Sequence, residues 1–95
     1  MKKITRYTVE EAAAIIAADE TLQEELEELK RFYEDGELDH DFEYGNFFNL
    51  IEDNSKIVIQ WFDDNDNDHE IIVDSLSVAV VVIRDIEAAD GNVKA

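Results

Sequence analysis

"SKIVIQWFDDNDNDHEIIVD", residues 55–74, is the stretch on which the fold turns. Its first eight residues are rich in β-branched and aromatic side chains, the composition of a strand. Apolar residues fall on both faces, with Ile57, Ile59 and Trp61 on one side and Val58 and Phe62 on the other. That pattern predicts a central strand. The polar run "DDNDND" then makes a turn, and "HEIIVD" returns as the antiparallel partner.

Downstream, "SLSVAVVVIRDIEAADG" (75–91) holds so many valines that strand and helix compete. Its length, a serine start at Ser75 or Ser77 and Gly91 at its end favour a helix. Leu76, Ala79, Val80, Ile83 and Ile86 keep helical spacing, and the additional valines predict burial on two sides. Upstream, "TVEEAAAIIAAD" (8–19) opens with Thr8 and Glu11 in a capping box and ends near Asp19. In "TLQEELEELKRFYEDG" (21–36), Thr21 and Glu24 repeat that relation, while Leu22, Leu26, Leu29 and Tyr33 form a stripe that stops at Gly36.

Between these helices and the central strand lies "EDGELDHDFEYG" (34–45), with an acid at every second position from Asp35 to Glu43. The period of two predicts a half-buried strand, with Leu38, His40, Phe42 and Tyr44 inward and the carboxylates outward. "NFFNLIEDN" (46–54) reads as a short helix, and residues 3–7 as a short strand. The expected fold class is α+β, a single domain spanning residues 1–95. It consists of an antiparallel sheet of about three strands packed against two to four helices, in the order α-α-β-(α)-β-β-α.

Charge narrows the function. The chain has 25 acids against 8 bases, a net of −17, yet it is 45% hydrophobic and therefore able to form a core. Small domains need only about 2–8 net charges for solubility, so the excess is a candidate functional feature. Direct binding to nucleic acid or to an anionic membrane calls for Lys and Arg, and such acidity opposes both. There is no cysteine and no long apolar run, and nothing resembling a signal peptide follows Lys2 and Lys3. These features lead to the expectation of a cytoplasmic protein.

No catalytic centre, cofactor or metal site is expected. Counted as a calcium loop from Asp64, the 64–75 stretch has His69 where Gly is required and Ser75 where Glu is required. His40 and His69 lack the further ligands of a zinc site. Carboxylates are so abundant that no one pair stands apart as acid and base.

What remains is the acidic surface itself. From Asp19 to Asp53 there are 14 acids and two bases. Alternate residues on a strand lie about 6.5–7 Å apart, and i, i+4 neighbours on a helix about 6 Å apart. Both intervals are close to the separation of successive phosphates. The expected partner-binding carboxylates are Glu24, Glu27, Glu28, Glu34, Asp35, Glu37, Asp39, Asp41, Glu43, Asp63, Asp64, Asp66 and Asp68.

In "DETLQEELEELKRFYEDGELDHDFEYG" and "DDNDNDHE" the chain resembles the small acidic DNA-mimic inhibitors of phages and mobile elements, of the anti-CRISPR and anti-restriction type. The resemblance is one of length, composition and α+β build rather than of a shared motif. It implies an inhibitor in the cytoplasm of a bacterial host cell, bound to a basic nucleic-acid-binding protein or complex of the CRISPR-Cas or restriction type and blocking target recognition. Two readings share the same physics: an immunity protein for a nuclease toxin, and a mimic that binds a nucleoid or repressor protein.

Overall fold

The structure is a computed structural model that describes residues 1–95. Its elements are β1 (Lys2–Lys3), α1 (Val9–Ala17), α2 (Glu20–Glu34), β2 (Glu43–Tyr44), β3 (Phe48–Asp53), β4 (Lys56–Phe62), β5 (Asp68–Val73), α3 (Leu76–Ala88) and β6 (Val93–Lys94). The architecture is α+β. Four antiparallel strands run in the order β2-β3-β4-β5, and β1 pairs with β6 as a separate parallel ribbon.

Strand β4 is central, as its two apolar faces require. Ile57, Ile59 and Trp61 are almost wholly buried on the helical side, whereas Phe62 is exposed on the open side. Its hairpin partner β5 follows the turn at 63–67, with Trp61 opposite His69 and Ile57 opposite Val73.

Helix α3 lies between the sheet and the other two helices. Every residue from Val78 to Ile83 is buried, and Ile86 is too. This explains the valine run: α3 contacts β4 and β5 with one side and α1 and α2 with the other, so a single amphipathic stripe would not suffice. Ser75 caps its start by accepting the Val78 N–H.

At the other end of α3 the chain turns through Asp90 (φ 51°) and Gly91 (φ 81°). The Gly91 carbonyl accepts the indole N–H of Trp61 at 3.0 Å, which fixes the C-terminus of α3 to the central strand.

Three expectations are corrected. "NFFNLIEDN" is not a helix: Phe48 and Leu50 alternate inward on β3, the fourth strand of the sheet. Asn54 (φ 52°) and Ser55 (φ 67°) both adopt the left-handed conformation that a two-residue hairpin turn demands, and this joins β3 to β4.

The stretch 38–42 is not a strand either. Asp39 folds its own backbone into a turn, its side chain accepting the Asp41 N–H at 2.9 Å and its carbonyl the Phe42 N–H at 3.1 Å. Only Glu43 and Tyr44 reach the ladder. Leu38 is buried and Phe42 and Tyr44 are half-buried, but His40 is exposed rather than inward.

Finally, α2 is capped by Asp19, whose side chain accepts the Leu22 N–H, so Thr21 lies inside the first turn. The Gln23 amide donates to the carbonyls of Ile16 and Ala17, closing the end of α1 from the next helix.

A Cβ at Gly91 would meet the Phe62 carbonyl at 2.7 Å and would sit at positive φ. Gly91→Ala is therefore expected to destabilise the fold by about 2 kcal/mol or more, read as a lowered urea midpoint.

Candidate partner-binding surface

Helix α2 is the longest element, and its buried stripe is thin, comprising Leu22 and Leu29. Leu26, Phe32 and Tyr33 pack partly against the core. The stripe turns Glu20, Glu24 and Glu27 to solvent, where they line a shallow depression with Gln23 and Arg31. Lys30 approaches Glu27 at 3.8 Å, an exposed pair of little energetic weight. Glu34 and Asp35 crowd the C-terminal end of α2, where the helix dipole disfavours negative charge. Gly36 (φ 71°) then ends the helix, with the Glu37 N–H donating to the Phe32 carbonyl and the Gly36 N–H to that of Tyr33.

One turn around the helix, Glu25 and Glu28 face β2. With Phe32, Phe42, Tyr44, Glu43 and Glu87 they line a groove that contains no basic residue. The electrostatics reflect this. Burial pushes the Glu25 carboxyl above its ordinary value, and the nearby charges of Glu87, Asp19 and Glu28 push it further. Burial raises Glu87 as well. The Tyr44 phenol is driven up to about 12, first by burial and then by Glu25, Glu28 and Glu87. Burial is the first cause of each shift, and at Glu25 and Tyr44 the neighbouring carboxylates act in the same direction.

The expected carboxylates are thus distributed as follows. Glu24, Glu27, Glu28 and Glu34 are carried by α2, and Asp35 caps its end. Glu37, Asp39 and Asp41 are exposed on a turn rather than in a row along a strand, and Glu43 alone occupies a strand position. Asp64, Asp66 and Asp68 are exposed around the β4–β5 turn, where Asp64 accepts the Asn92 amide at 2.7 Å.

Asp63 does not belong to the surface. It is 5% exposed, and it accepts the backbone N–H groups of Asn65 and Asn67 and the Asn67 amide. His69 places Nε2 at 2.9 Å from its second oxygen. These hydrogen bonds, that of His69 foremost, hold its carboxyl down at about 2. Its role is to build the turn that carries its neighbours.

Glu25 and Glu87 are not among the expected partner-binding carboxylates. Glu25 is one helical turn from Glu28, but Glu87 joins them only because α3 packs beside α2. No set of three or more His, Asp or Glu side chains could hold a metal ion. No helix is long and apolar enough to cross a membrane. Comparison with known proteins finds no family model, no curated protein and no solved structure that matches the chain.

What such a surface offers chemically is a fixed negative potential. Of the 25 acidic residues, only Glu27, Asp63, Asp74 and Asp85 have a basic side chain within ion-pair distance. Among the 8 bases, Lys2, Lys3 and Lys94 sit together on the β1–β6 ribbon.

The shifts set a pH dependence of opposite sign at two places. Glu25 and Glu87 have raised values, so their destabilisation is present at neutral pH and is relieved as pH falls through those values. Asp63 is lowered, so its contribution is present above its ordinary 3.8 and is lost as pH falls toward about 2. Urea midpoints should therefore rise as pH falls from neutral through the raised carboxyl values, above the ordinary 4.5, and fall again below the ordinary 3.8 of Asp63. In Asp63→Ala, which also loses the turn's hydrogen bonds, the melting temperature should drop by at least about 5 °C at neutral pH.

Proposed function

We propose that this chain is an acidic DNA mimic, an inhibitor that occupies the positively charged nucleic-acid-binding surface of a host defence complex and blocks recognition of target DNA. A CRISPR-Cas effector is the partner that the reading favours. The observation that supports it is the scarcity of countercharge: a rigid, folded surface presents about twenty carboxylates that no side chain of the protein neutralises. Acids held on a helix and on hydrogen-bonded turns keep their spacing without a partner. Little ordering entropy is then lost on binding, unlike for a disordered acidic tail.

The mechanism is substitution. A groove that binds DNA is lined with Lys and Arg, and DNA binding is driven largely by release of condensed counterions. Carboxylates at comparable intervals can meet the same cations, and the apolar edges of Phe32, Phe42 and Tyr44 beside Glu25 and Glu28 add contact that a charged polymer lacks. Helix α2 and the groove next to it, rather than the 37–41 turn, form the centre of the proposed interface, because a helix holds its acids at a fixed spacing and the groove between α2 and β2 contains no basic residue.

The test is target-DNA binding by purified CRISPR effector and restriction complexes, measured with and without the protein across a salt series. Inhibition is expected at low salt and should fade as salt rises. The triple reversal Glu24→Lys, Glu27→Lys, Glu28→Lys should raise the inhibitory concentration by about a hundredfold while the fold is retained. Full inhibition by the triple variant, or inhibition indifferent to salt, contradicts the proposal.

A further inference from the structure

Strand β5 forms one edge of the four-stranded sheet and pairs only with β4. The phase of that pairing follows from the turn. The Asp63 N–H donates to the Asn67 carbonyl at 3.1 Å, and hydrogen-bonded positions alternate along an antiparallel ladder. His69, Ile71 and Val73 therefore bond to β4, and Asp68, Glu70 and Ile72 turn their backbone N–H and C=O groups to the free edge. No hydrogen bond from the rest of the chain reaches that edge.

Sheet edges are usually blunted by Lys, Pro or a bulge. "DHEIIV" has neither Lys nor Pro, and its register runs without a slip from Phe62↔Asp68 to Ile57↔Val73. Beside the edge lies a depression of about 230 Å³, lined among others by Tyr7, Val9, Ile72, Val73 and Val78. Val9 is 49% exposed and Ile72 52%, two of the four large hydrophobic residues left open to solvent.

We propose that the free edge of β5 is a docking site for an extended, basic segment of a partner protein, added to the sheet as a fifth strand. Backbone hydrogen bonds at Glu70 and Ile72 would supply affinity, and alternate side chains would supply choice. Apolar residues of the incoming strand meet Val9, Val73 and Val78. Those of opposite parity meet Asp68 and Glu70, which stand two positions apart on the open face of the sheet. Alternating Lys or Arg at about 6.5–7 Å matches that spacing.

Charge decides against a second copy as the occupant. Two β5 edges paired antiparallel about Ile71 would set Asp68 of each against Asp74 of the other, in molecules that each carry −17. The site does not depend on phosphate mimicry, since a protein that fills no nucleic-acid groove could still accept such a strand.

A short capped peptide of alternating lysine and valine is the probe, and amide exchange of the intact protein is the readout. Peptide binding should slow exchange at the Glu70 and Ile72 amides by about tenfold or more. His69 and Ile71, already bonded to β4, should change little. Ile72→Pro removes a free-edge N–H without touching the β4 ladder, so it should weaken binding by about tenfold, whereas Ile72→Val should retain it. Unchanged exchange at Glu70 and Ile72 overturns the proposal, whether the peptide settles on α2 or does not bind.

Discussion

The burial of α3 is the interaction on which the rest of this structure depends. Seven of its residues are removed from solvent between the sheet and the other two helices. A fully buried Val or Ile side chain contributes about 1.5–3 kcal/mol, whereas an exposed ion pair contributes about 0–1 kcal/mol. Four ion pairs, three of them at least partly exposed, cannot offset the mutual repulsion of a chain with a net charge of −17. The apolar sandwich can. The fold is therefore one in which stability and charge are segregated, with Val78–Ile86 and the inner faces of β3, β4 and β5 holding together a surface that pushes itself apart.

That segregation explains which parts of the structure were legible in the sequence. Where a segment's period reports its own burial, the reading succeeded: β4 with apolar residues on both faces, the β4–β5 hairpin, the capping box of α1, and α3 with its Ser75 cap. It failed where local hydrogen bonding overrides the pattern. Between Leu38 and Phe42 the residues alternate as a strand would, but the Asp39 side chain takes the backbone donor of Asp41 and the chain turns. In and just before β3 the apolar residues Phe47, Phe48, Leu50 and Ile51 suit either period. The deciding signal was the pair of left-handed residues Asn54 and Ser55, of which Asn favours that conformation but Ser, standing where a hairpin turn usually has Gly, does not mark it.

The surface was legible as composition and much less so as geometry. The exposed acids of α2 follow directly from its narrow stripe of leucines. Asp63 could not be told from Asp64, Asp66 and Asp68 by sequence, because its burial depends on His69 returning across the hairpin. Glu87 could not be placed near Glu25 and Tyr44 without the packing of α3 against α2. The strand of regularly spaced carboxylates dissolved into a turn, and the helical face and its neighbouring groove took its place. For the proposed mimicry of a polyanion the distinction matters, since a helix fixes the spacing of its charges more firmly than a turn does.

The account holds that these carboxylates oppose folding in the isolated protein and that their countercharge lies outside the molecule. Urea unfolding measured at low and moderate sodium chloride tests this most directly, because urea adds no ionic strength of its own. If the carboxylates mainly repel one another, screening over a Debye length of about 10 Å at 0.1 M salt relieves the repulsion, and the urea midpoint rises as salt is added. A midpoint that falls with salt would mean that internal ion pairs hold the fold together, and would contradict the account.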